Sequence, residues 1–251
     1  METTKELKLA VLIDADNIPY SNVKGMLEEI AKYGTPTFKR IYGDWTKPTL
    51  SGWKTVLLEN AITPIQQYSY TKGKNSSDSA LIIDAMDILY TGAVDGFCII
   101  SSDSDFTRLA TRLREAGKQV FGMGEKKTPT PFIASCNKFI YIEILQKEMK
   151  ETATVSKARK AEPIKKPTAV ASIDGELIKL ISGSINDIAE EDGWVFLGVL
   201  GNLILKKQPD FDPRNYGYKK LVDLIKGIEG IEIDERPTGK KNVSHFFVRT
   251  K

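Results

Sequence analysis

Along residues 8–145, short apolar runs alternate with stretches whose apolar residues recur every three or four positions. The runs at 8–13, 37–42, 62–68, 97–101, 119–123 and 139–144 read as strands, the first ending on Asp14. Between them, Val23, Met26, Leu27 and Ile30 fall at helical spacing, as do Trp53, Val56 and Leu57. Two further helices are predicted over 77–90 and 106–116. Continuous apolar strands alternating with helices predict a mostly parallel sheet covered on both faces. In such sheets the functional crevice lies beyond the carboxyl ends of the strands.

The pattern changes after residue 172. Leu177, Ile178, Leu180 and Ile181 mark one helix, 194–205 a second interrupted by Gly198 and Gly201, and 215–225 a third. Two β-like runs follow at 231–235 and 245–249, joined by a basic, turn-rich loop. Three helices and a hairpin predict a small winged helix-turn-helix domain. Trp194 is expected in its core, and His245 on a strand face in a structural role. Residues 148–171 carry two prolines and no aromatic residue, and read as a basic linker. The expected division is therefore 7–147, linker 148–171, and 172–251.

Composition narrows the chemistry. The 251 residues hold two cysteines and one histidine. That excludes a disulfide framework and makes histidine-based triads and metal sites poor candidates. No apolar run approaches a membrane span of roughly 20 residues, and the charged N-terminus lacks a signal-peptide core, so a cytoplasmic protein is expected. The net charge of +3 says little by itself. Residues 151–171 hold five Lys and Arg against two Asp and Glu, enough to account for the excess. Any case for nucleic acid must come from local clusters.

Four aspartates fall where the crevice should open. Asp14 ends the first strand, and Asp103 and Asp105 follow the fourth. Advancing about 100° per residue from Asp78 puts Leu81, Ile82, Ala85, Met86, Ile88 and Leu89 within roughly 80° of it. Asp78 thus sits on the apolar stripe, at the helix end that lies over the strand ends. Asp84 falls at the border of that stripe and Asp87 on the outer face. Carboxylates converging on one crevice repel unless a cation neutralises them. An all-carboxylate set suits Mg²⁺ or Mn²⁺, which supports hydrolysis at phosphorus. Each acid also has a plain alternative: Asp14 as a purely structural strand end, Asp105 as a helix N-cap, Asp103 as a turn residue, and Asp78 as a helix-dipole partner. Asn17 is a candidate polar partner, and Asp84, Ser101 and Ser102 are candidates for a supporting role behind the acids. Lys72 and Lys74, just before the helix at 77, suit phosphate. Arg108 and Arg112 suit an RNA path or ordinary solvation.

The segments Ile13-Asp-Ala-Asp-Asn17, residues 72–87 (KGKNSSDSALIIDAMD) and Ser101-Ser-Asp-Ser-Asp-Phe106 resemble, in this order, an NYN domain of the PIN-like nuclease superfamily. The resemblance implies a Rossmann-like fold and divalent-metal ribonuclease activity. It carries the metal-holding role onto Asp14, Asp78, Asp103 and Asp105, with Asn17 as partner. Residues 172–250 are similar to OST-HTH/LOTUS domains through Asp192-Gly-Trp-Val-Phe-Leu-Gly198, residues 211–221 (FDPRNYGYKKL) and His245-Phe-Phe-Val-Arg249. That family implies binding of RNA or of a protein partner. Arg214, Tyr216, Lys219 and Lys220 interleave charge with an aromatic ring, which suits backbone contact and base stacking. Lys240 and Lys241 sit at the expected wing tip. The leading expectation is a metal-dependent endoribonuclease with an RNA-binding winged helix, of open oligomeric state. Two alternatives stand beside it. One is a non-catalytic RNA-binding or silencing adaptor. The other is a haloacid-dehalogenase-like phosphatase, suggested by Asp14-Ala-Asp16 but weakened by Ile18 where that family has Thr or Val.

Overall fold

A computed structural model describes residues 6–68, 76–146, 172–238 and 244–251. The chain divides into two compact units, Met1–Arg159 and Lys160–Lys251. The whole of the expected linker, 148–171, lies outside the described residues.

The first unit holds strands β1 (Lys8–Asp14), β2 (Thr35–Gly43), β3 (Thr63–Gln66), β4 (Gly96–Ile100), β5 (Gln119–Gly124) and β6 (Lys138–Tyr141). Its helices are α1 (Val23–Ile30), α2 (Trp53–Glu59), α3 (Ser76–Thr91), α4 (Thr107–Glu115) and α5 (Thr130–Ser135). The six strands form one parallel sheet in the order β3-β2-β1-β4-β5-β6. Successive strand residues point to opposite faces, and β1 shows the division. Leu9, Val11 and Ile13 pack with Met26 and Ile30 of α1 and Trp53 and Leu57 of α2. Ala10 and Leu12 pack with Leu81, Ala85 and Ile88 of α3, Leu109 and Leu113 of α4, and Phe132 of α5. Because both faces are covered, β1 has no polar residue between Lys8 and Asp14, and β4 has none. The strand order reverses between β1 and β4, and the two loops leaving that switch point diverge to leave a crevice.

Three expectations differ in detail. α5 had not been anticipated, since it is short and opens on Thr130-Pro131. The last run splits: Lys138–Tyr141 is strand, and residues 142–146 are helical. A 3₁₀ turn, Ser104–Phe106, precedes α4.

The second unit contains α6 (Gly175–Ile188), β7 (Val195–Phe196), α7 (Leu197–Lys207), α8 (Leu221–Lys226), β8 (Ile231–Pro237) and β9 (Ser244–Thr250). Its antiparallel sheet runs β7-β9-β8. Asp174 caps α6 by accepting from the Leu177 amide at 2.9 Å. Ile181, Ile185, Leu200, Ile204, Leu224, Ile225 and Val248 form its core. The helix expected over 215–225 is shorter. Pro213–Tyr216 is a 3₁₀ turn, and Gly217 at φ +83° ends it in the left-handed region. Residues 195–196 pair with β9 rather than continuing a helix back to Trp194. Trp194 is half-buried, not core. No helix of the described residues is long and apolar enough to cross a membrane.

Candidate metal centre and nucleic-acid surface

Asp14 is the last residue of β1 and is almost fully buried. Three donors hold its carboxylate: Asn17 Nδ2 at 2.6 Å, Ser101 Oγ at 2.8 Å and the Asp16 amide at 3.1 Å. Burial pushes its pKa above the ordinary carboxylate value, against the lowering effect of those donors. Ser101 closes the link between the two strand ends, since its Oγ also accepts from the Asp103 amide at 3.1 Å. Ser102, also buried, accepts from the Glu125 amide at 2.9 Å and ties this loop to the end of β5.

Asp103 caps the 3₁₀ turn by accepting from the Asp105 amide at 2.9 Å. The N-cap role that the sequence offers as an alternative for Asp105 is thus taken by Asp103, at the 3₁₀ turn ahead of α4. Asp78 lies in the first turn of α3, only 6% exposed. Its apolar neighbours on the helix, Leu81, Ala85, Ile88 and Leu89, are buried as expected. One carboxylate oxygen from each of Asp78, Asp103 and Asp105 lies within 4.8 Å of the others. Burial first, then the charges of Asp14, Asp103, Asp105 and Asp16, push the Asp78 pKa up to about 7. A group of oxygen donors this close, with one acid's pKa raised by burial and then by its charged neighbours, has the character of a hard divalent cation site. The residues present therefore fit Mg²⁺ or Mn²⁺.

Asp16 was not among the predicted site residues. It accepts from Ser77 Oγ at 3.3 Å and lies 3.6 Å from Lys47 Nζ. Asp84 is drawn elsewhere, accepting from the Arg40 guanidinium and from the Tyr42 hydroxyl. Burial and that carboxylate raise the Tyr42 pKa well above its usual value, so the phenol stays a donor. Asp84 thus anchors α3 to β2. Arg108 is exposed and Arg112 half-buried on α4, while Lys72, Lys74, Lys240 and Lys241 lie outside the described residues.

In the second unit, Lys219 and Lys220 are exposed. The Arg214 guanidinium is instead clamped by Asp212, through Nε at 3.0 Å and Nη2 at 2.7 Å. Tyr216 packs beside Phe211, their ring centroids 6.1 Å apart. Sequence reasoning missed the outer face of the winged sheet. There Arg236 stacks between Trp194 (5.6 Å) and Phe247 (4.1 Å), and Arg249 lies over Trp194 (4.6 Å). Phe196, 38% exposed, borders Phe247 and His245. The signal available was the strand alternation itself, which sends 232, 234, 236 and 245, 247, 249 to one face. Asp234 and Glu232 pair with the two arginines.

The switch-point crevice, its acids and the parallel sheet define the PIN-like class. The family model of the NYN domain matches residues 8–143 and that of the OST-HTH/LOTUS domain residues 170–243. The chain belongs to the NYN domain family, with a C-terminal OST-HTH/LOTUS domain. Together a PIN-like nuclease domain and an RNA-binding domain suggest a ribonuclease. No curated protein matches the chain. A crystal structure of a protein of unknown function from Vibrio parahaemolyticus is 20% identical with a TM-score of 0.47, covering 57% of this chain and 96% of that one. A solution structure of an uncharacterized protein from Nitrosomonas europaea is 30% identical with a TM-score of 0.30, covering 38% of this chain and 90% of that one.

Proposed function

We propose that the chain is a divalent-metal-dependent endoribonuclease whose C-terminal unit holds RNA. The observation that carries this is the convergence of Asp78, Asp103 and Asp105 within 4.8 Å, beside buried Asp14, at the switch point of an NYN sheet. Asp78, Asp103 and Asp105 would hold Mg²⁺ or Mn²⁺, with Asp14 completing the negative charge around it. A bound ion there supplies a polarised water and neutralises charge on the attacked phosphate. Asn17 and Ser101 orient Asp14, and the Asp103 cap fixes the loop that carries two of the acids. Asp14 has both oxygens engaged and almost no exposure, which disfavours the phosphatase alternative that needs it as a nucleophile. In the second unit, Lys219 and Lys220 offer charge to phosphates, and exposed Phe196 offers a ring to unpaired bases, beside Trp194 and Phe247 whose rings carry Arg236 and Arg249.

The test is incubation of purified full-length protein with end-labelled single-stranded RNA in Mn²⁺ or Mg²⁺, for wild type and Asp103→Asn. Metal-dependent internal cleavage that falls at least a hundredfold in the variant is expected. Equal cleavage by both proteins would sink the assignment, and RNA binding without cleavage would favour the adaptor.

A further inference from the structure

Nucleic acid must enter a crevice that presents the carboxylates of Asp14, Asp16, Asp78, Asp103 and Asp105. A polyanion needs a cation at that rim, and one loop of the fold is built to supply it. β2 runs parallel to β1, and beyond it the residues 44–47 turn beside the loop that carries Asp16. Asp44 is buried and braces the turn, accepting from the Thr46 amide at 3.2 Å, Thr46 Oγ1 at 2.6 Å and Gln66 Nε2 at 3.1 Å. The Lys47 amide donates to the Asp44 carbonyl at 3.0 Å, and Pro48 after it holds Lys47 in an extended conformation.

Gly43 eases this approach. A Cβ there would lie 3.0 Å from Ala15 Cβ and 2.9 Å from the Leu50 Cδ1 tip, closer than ordinary contact, so a side chain at 43 would press on the loop that follows β1. The outcome is Lys47 Nζ 3.6 Å from Asp16 Oδ1, with the two side chains 40% and 36% exposed. A solvated pair at that separation adds little to stability. So much bracing around so weak a pair points to a different partner for the ammonium.

Resting on the nuclease reading above, we infer that Lys47 is a phosphate-holding residue of the crevice. On RNA binding, its ammonium exchanges the long contact with Asp16 for a backbone phosphate, which fixes the strand across the acids. Lys47 is a positioning group, and no bond is made or broken at it. Lysine serves here as a point charge on a flexible stem.

Two measurements on the full chain test this. The first is lysine footprinting of the Asp103→Asn protein by an acetylating reagent, with and without single-stranded RNA. Acetylation of Lys47 should fall about fivefold or more with RNA, while exposed Lys54 on α2 serves as the internal reference. Equal modification of Lys47 in both samples overturns the inference. The second is single-turnover cleavage in Mn²⁺. Lys47→Ala should lose about tenfold to a hundredfold and Lys47→Arg should recover most of it, with unchanged thermal midpoints. The Lys47→Ala loss should persist in an Asp16→Asn background. A loss that vanishes there would show that Lys47 acts only by holding Asp16, and the inference would fall. If wild type does not cleave, the nuclease reading fails, yet the footprint still decides whether Lys47 meets phosphate.

Discussion

Asp78 carries a measurable conflict between folding and ionisation. In the folded protein its pKa rises to about 7, against an ordinary value of 3.8. Between about pH 4 and 7 the native state keeps a proton that the unfolded chain has released. Stability attributable to this group is therefore highest below pH 4, falls as pH rises, and is lowest above 7. Three pH units correspond to about 4 kcal/mol at full strength. Salt and water reaching an open crevice reduce that to about 1–3 kcal/mol. Asp78→Asn removes the charge with nearly the same shape. Without metal, calorimetry should find the variant more stable than wild type at pH 8 by that amount, a rise of about 3–8 °C. At pH 4 the two should coincide. Mn²⁺ at pH 8 should raise the wild-type midpoint and have less effect on the variant. A variant less stable than wild type at pH 8, or a gap that does not change with pH, would refute the reasoning.

Other consequences are more local. Asp84→Ala leaves the Tyr42 hydroxyl and the Arg40 guanidinium without their shared acceptor; chemical denaturation should show a loss of about 1–3 kcal/mol. Arg214→Ala removes the clamp on buried Asp212 and should destabilise the C-terminal unit by about 1–3 kcal/mol, seen as a lower melting transition with little change in RNA affinity. Phe196→Ala should weaken binding of single-stranded RNA by about 1–3 kcal/mol, as loss of one stacked base does. Measured by fluorescence anisotropy, its salt dependence should stay that of wild type, whereas Lys219→Ala with Lys220→Ala should flatten it.

The acids were legible because periodicity and punctuation both mark them. Asp78 stands on an apolar stripe, and Asp14 and Asp103 stand where apolar runs stop. Asp16 is not marked in the sequence because it is the polar middle of a turn; its carboxylate is tied to the crevice by the bond from Ser77, a partner 61 positions away. Lys47 carried no local signal at all, since its place follows from β1 lying beside β2 and from the missing side chain of Gly43. The run after Phe139 was read as strand throughout, because a short apolar segment has no distinguishing period. Trp194, expected in the core, is half-buried, and its ring covers two guanidinium groups contributed by strands that lie far from it in sequence.

The hydrogen bond from Ser101 to Asp14 joins residues 87 positions apart. Until β4 has docked on β1, the chain owns scattered acids and no centre. A growing polypeptide that has not yet released residue 105 from the ribosome therefore cannot bring Asp78, Asp103 and Asp105 together. By the order of its strands, the centre assembles only once the chain through residue 105 is free to fold.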